Sequence, residues 1–133
     1  MSNEETIKSV YAAFLRQDIP AIQAAVADDV EWRNDGVASS ECPWNGNFSG
    51  KANLPDFFMA VGENMDLPVF EMKAIVASGP YVAVQLRIEG TVRRTRRAFA
   101  NDVVHFWTFN ERGKISRYQH FNDTAAELAA WRG

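Results

Sequence analysis

The pattern of apolar and polar positions changes period once along the chain. Ile7, Val10, Tyr11 and Phe14 recur at helical spacing behind a Ser2-x-x-Glu5 capping pattern, which predicts a helix from about Asn3 to Arg16. Asp18 then caps a second, short helix that tolerates Pro20 in its first turn. Its stripe is Ile19, Ile22 and Val26, and Asp28-Asp29 end it. Val30 to Arg33 reads as a short strand, and Asn34 to Gly50 as a loop rich in Gly, Ser, Asn and Pro. A third helix follows from about Ala52 to Asn64, with Leu54, Phe57, Phe58 and Val61 on one face. From Val69 the period shortens to two. Strands are predicted over Val69 to Ser78, Tyr81 to Val92, Ala98 to Phe109 and Lys114 to Phe121, with Gly79-Pro80 and Asn110-Glu111-Arg112-Gly113 as turns. Thr124 to Trp131 forms a closing helix. Helices first, then strands joined by short turns, imply an α+β class with an antiparallel sheet in one domain.

Composition narrows the picture further. Of 133 residues 47% are hydrophobic, which is ample for a packed core and excludes intrinsic disorder. No run approaches the roughly 20 apolar residues of a spanning helix. Met1-Ser2-Asn3-Glu4-Glu5 is acidic where a signal peptide would be basic and then apolar. The expected location is therefore cytoplasmic, with no membrane partner. A single cysteine, Cys42, excludes a disulfide scaffold and is expected as a free surface or loop thiol. The net charge of −3 argues against a nucleic-acid partner. Arg93-Arg94-Thr95-Arg96-Arg97 reads as a solvated hairpin turn, since no aromatic residue is interleaved for base stacking. His105 and His120 could meet on adjacent strands, but a third metal ligand is not evident. Neither a glycine-rich phosphate loop nor a dinucleotide fingerprint is present, so no cofactor is expected.

Several local phrases, in this order, carry a resemblance. They are Tyr11-Ala12-Ala13-Phe14 with Asp18, Ala27-Asp28-Asp29-Val30-Glu31-Trp32, Pro43-Trp44-Asn45-Gly46-Asn47-Phe48-Ser49-Gly50, Gly113-Lys114-Ile115 and Asp123-Thr124-Ala125. The chain resembles the SnoaL-like group of the nuclear transport factor 2-like superfamily over nearly its whole length. The resemblance implies a cone-shaped, curved antiparallel sheet with three helices from the N-terminal half enclosing a pocket. It also implies a homodimer made through the outer sheet face. A pocket of this kind explains the nine Phe, three Tyr and four Trp, because such walls are mostly apolar with a few placed polar groups. Phe57, Phe58, Phe70 and Phe109 are expected as ordinary core.

Two enzyme patterns of the superfamily supply site residues. In the limonene-1,2-epoxide hydrolase pattern, the water-holding tyrosine and asparagine fall on Trp32 and Asn34. The Arg-x-Asp of a central strand falls on Arg87-Ile88-Glu89, and the general base on His120. His120 would then activate a water while Glu89, held by Arg87, donates a proton. Strand parity leaves open which face of Tyr81 to Val92 lines the pocket: Val82, Val84, Leu86 and Ile88 share one face, and Gln85, Arg87 and Glu89 the other. In the ketosteroid isomerase pattern, the catalytic aspartate falls on Asn34, with Asp35 one residue away. The first-helix tyrosine falls beside Tyr11, and the oxyanion-stabilising aspartate falls on His105. The implied machinery is catalytic His120, Asn34, Arg87 and Glu89. Trp32, Asp35, Tyr11, Phe14, Asn101, His105, Trp107 and Tyr118 would contact the ligand. The expected function is cofactor-independent acid–base hydrolysis or isomerisation of a hydrophobic small molecule. Non-catalytic binding of such a ligand, or association through the outer sheet face, are the alternatives.

Overall fold

Ser2 accepts a hydrogen bond from the Glu5 N–H at 3.1 Å and so starts α1 (Asn3–Leu15). Asp18 does the same for α2 (Ile19–Ala25), accepting from the Ala21 N–H at 3.2 Å. In the computed structural model, which describes residues 1–34 and 41–133, β1 (Val26–Asn34) and β2 (Gly46–Asn47) follow. A 3-10 turn (Lys51–Asn53) leads into α3 (Leu54–Asn64). Then come β3 (Met65–Ser78), β4 (Tyr81–Val92), β5 (Arg97–Phe109), β6 (Ile115–Phe121) and α4 (Thr124–Arg132).

The strands form one sheet in the order β2-β1-β6-β5-β4-β3. Every pairing is antiparallel except β1 with β6, so the sheet is mixed where the strand order along the chain implied an antiparallel one. Two strands begin earlier than their patterns suggest. β1 reaches back to Val26, because an irregularity between Val26 and Glu31 lets Asp28 and Asp29 stay exposed without ending the pairing. β3 runs through Pro68, which a sheet tolerates at its edge, and the register shifts between Asp66 and Val69 to accommodate it.

The curved sheet, which does not close on itself, buries one face. Val82, Val84, Leu86 and Ile88 on β4 pack there with Ile7, Val10, Ile22 and Leu54 of the three N-terminal-half helices. A smaller cluster joins Cys42, Trp44, Met65, Val92 and Ala130. Cys42 is thus a free thiol in the loop between β1 and β2, as one of the two expectations had it, but a buried one. Burial first, then the Glu127 and Glu41 carboxylates, push its pKa up to about 12, which keeps it an unreactive thiol. Gly90 faces Phe99 across the β4–β5 pair, and a Cβ there would stand 2.7 Å from the ring. The arginine turn also does more than face solvent. Arg94 donates to the Trp131 carbonyl and lies 4.0 Å over the Trp131 ring, and the Thr95 hydroxyl donates to Ala130 O at 2.6 Å. These contacts satisfy carbonyls at the C-terminal end of α4. Among the described residues, no helix is long and apolar enough to cross a membrane.

Candidate active site

Alternation along each strand decides what meets inside the cone. On β5 Asn101, Val103, His105 and Trp107 point inward; β6 contributes Tyr118 and His120, and β1 contributes Trp32 and Asn34. The register sets His105 opposite His120, Trp107 opposite Tyr118, and Trp32 opposite Tyr118. Tyr11 and Phe14, three apart on α1, complete the near wall. Together they line a cavity of about 90 Å³ whose remaining lining is largely apolar. Phe57, Phe58 and Phe70, expected as ordinary core, also line it. Phe109 is buried core as expected.

The polar groups of this wall are joined to one another. Trp107 Nε1–H donates to the Tyr11 hydroxyl at 3.1 Å, and that hydroxyl lies 2.7 Å from His105 Nδ1. His105 Nε2 is 2.9 Å from His120 Nδ1. The Tyr118 hydroxyl donates to Asn34 Oδ1 at 2.7 Å, and its oxygen lies 3.3 Å from His105 Nε2 and 3.2 Å from His120 Nδ1. Asn34 Nδ2 in turn donates to Trp44 O at 3.2 Å and to Asn45 Oδ1 at 3.0 Å. The line ends at Glu127, 4% exposed, which accepts from Trp44 Nε1, Asn45 Nδ2 and Asn122 Nδ2.

Burial sets the protonation of this cluster. It pushes His120 down to about 4 and His105 well below the usual histidine value, with the neighbouring His120 adding to the effect on His105. Burial raises Tyr11 and Tyr118, so both remain protonated donors; on Tyr118 the nearby Tyr11 and Glu127 act in the same direction. At neutral pH both imidazoles are therefore uncharged.

Arg87 and Glu89 do not join this set. Val82, Val84, Leu86 and Ile88 take the inner face of β4, which turns the alternate residues outward. Arg87 pairs there with Glu89 and Asp102, each at 3.4 Å, on the solvent side. The hydrolase-like set of His120, Arg87 and Glu89 is therefore split across the sheet. Asp35 lies outside the described residues. His105 and His120 share a hydrogen bond, and among the described residues no three His, Cys, Asp or Glu groups are placed to hold a metal. Sequence reasoning missed Glu127, Asn45 and Asn122. A signal for Glu127 existed: it stands three residues before Ala130, on the buried side of α4.

A model of the SnoaL-like domain matches residues 7–118. The chain belongs to the SnoaL-like domain family. Solved structures agree with this fold along its whole length. An NTF2-like protein from Burkholderia thailandensis superposes with a TM-score of 0.87 at 27% identity, covering 100% of this chain and 99% of that one. An NTF2-like protein of unknown function from Burkholderia pseudomallei gives 0.86 at 26% identity over 98% of both chains. TerC, co-crystallised with polyporic acid, gives 0.82 at 28% identity, again over 98% of both. No curated protein matches the sequence. The α+β cone of the nuclear transport factor 2-like superfamily is thus the fold of this SnoaL-like chain.

Proposed function

We propose that this SnoaL-like chain is a cofactor-independent enzyme that moves a proton on a hydrophobic small molecule held in the cone. The observation that carries the reading is the hydrogen-bonded polar line, from Tyr11 to Glu127, set into an otherwise apolar cavity wall. An isomerisation needs a proton acceptor and a group that holds developing charge. Among the described residues, Glu127 is the carboxylate that lines the cavity, and His120 offers the imidazole whose Nε2 makes no hydrogen bond. Hydrolysis by a Glu89–Arg87 proton donor has no support, since that pair stands outside the cavity. The co-crystal of TerC with polyporic acid supports small-molecule binding by a cone of this kind.

Acetophenone in D2O tests the reading, because enolisation exchanges its methyl protons for deuterium. Proton NMR should show exchange accelerated by the wild-type chain and slowed at least tenfold in Glu127→Gln and His120→Gln. Binding without exchange favours the second reading, a non-catalytic binder, which the neutral and mutually satisfied His105–Tyr11 pair also suits. Absence of binding by acetophenone and by larger aryl ketones would remove both. We further propose that two copies associate through the outer sheet face, where Val104 and Phe121 are 39% and 52% exposed.

A further inference from the structure

We propose that His120 presents an N–H, at Nε2, to the oxygen of an apolar, carbonyl-bearing ligand, and that Trp107 fixes this polarity through Tyr11 and His105. The inference rests on the reading that the cavity binds a small molecule, and it adds what that molecule must carry.

The direction follows from groups that have no choice. An indole nitrogen donates and cannot accept, so the Tyr11 oxygen accepts from Trp107. Among the described residues the one remaining partner of the Tyr11 hydroxyl is His105 Nδ1 at 2.7 Å, and a buried O–H without an acceptor is costly. Tyr11 therefore donates, and Nδ1 of His105 carries no proton. A neutral His105 is then protonated at Nε2, which donates to His120 Nδ1 at 2.9 Å. The neutral His120 ring must hold its own proton on Nε2, the nitrogen with no partner among the described residues.

Tyr118 cannot reverse this order. Trp44 O is a backbone carbonyl and accepts only, so it fixes the Asn34 amide nitrogen on its side and leaves Oδ1 for Tyr118. The Tyr118 proton is spent on that bond at 2.7 Å. Its oxygen is then an acceptor beside His105 Nε2, and it does not supply a proton to His120 Nδ1.

A second observation points to the same ligand chemistry. Trp32 lines the cavity, and its Nε1–H is the buried side-chain polar atom without a hydrogen-bond partner among the described residues. His120 and Trp32 thus each keep a donor unmatched by the described residues. A carbonyl oxygen matches such a donor, whereas a hydrocarbon leaves it unpaired. A neutral imidazole that donates to a carbonyl polarises it, so His120 acts as an electrophile here and not as the water-activating base expected from the sequence.

Two measurements test the proposal. Long-range proton–nitrogen correlation NMR on the full chain at neutral pH reads each imidazole nitrogen as protonated or bare. Nε2 should carry the proton in both His105 and His120, and Tyr11→Phe should give His120 Nδ1 partial N–H character. Trp107→Phe is the second variant should the first fail to fold. A proton on His120 Nδ1 in the wild-type chain overturns the proposal. Acetophenone should bind at least about tenfold tighter than its isostere α-methylstyrene, and His120→Phe should shrink that ratio. Equal binding of both by the wild-type chain rejects the carbonyl preference while leaving ligand binding intact; binding of neither rejects the underlying functional reading.

Discussion

Histidine is the residue on which both the reading of the site and its stability turn. His120 titrates at about 4 in the folded chain against the ordinary 6.5, so the unfolded chain takes up a proton in that interval and the folded one does not. The associated stability is present above pH 6.5 and is lost as pH falls toward 4. For this group alone the loss is on the order of 3 kcal/mol, and His105 shifts in the same direction. The urea midpoint should fall from about pH 7.5 to about pH 5, and fall less in His120→Gln. An equal drop in both proteins would assign the acid sensitivity elsewhere. Alternation along a strand sets Tyr118 with His120 on β6, and Asn101 with His105 and Trp107 on β5. It could not show that Tyr11 lies 2.7 Å from His105, because those residues are 94 apart in the chain.

At the scale of elements, α4 is the piece the sequence described least fully. Its N-cap is Asp123, whose side chain accepts from the Ala125 N–H at 3.0 Å. The helix was read from the sequence, but its contribution to the site was not. Glu127 holds the Trp44–Asn45 segment and Asn122 through three donors, so it ties the helix to the loop that follows β1. Glu127→Ala strands those donors and should cost about 3 kcal/mol in chemical denaturation. Glu127→Gln keeps one acceptor oxygen and should cost less. If alanine and glutamine behave alike, the three bonds do not stabilise the fold. Strand starts were misjudged for a related reason: Asp28-Asp29 and Pro68 are local stop signals that a bulge and an edge position overrule.

On the whole molecule, the register gathers apolar side chains on the outer face as well. Val76, Ala83 and Phe106 fall in one cross-strand row, and Val104 and Phe121 in the next. Beyond them Glu71, Arg87 and Asp102 form a charged row, so the outward Arg87 borders this patch instead of serving the cavity. Such a patch with a polar border suits self-association. Sedimentation should show a dimer for the wild-type chain and a monomer for Val104→Glu, with the fold unchanged by circular dichroism. A wild-type monomer at high concentration would remove the dimer.

Apolar periodicity, caps and turns along the chain were enough for the α+β class and the order of elements, because the type of an element is written in the period of its apolar positions. Folding settled matters that depend on residues far apart in sequence. It paired β1 with β6 in parallel, sent Arg87 and Glu89 outward, buried Cys42, and brought Glu127 to the cavity. It also joined an indole, a phenol and two imidazoles into one line of hydrogen bonds. The direction of that line follows from which partners can only donate or only accept, and such partners are identified by contact in three dimensions, not by spacing along the chain.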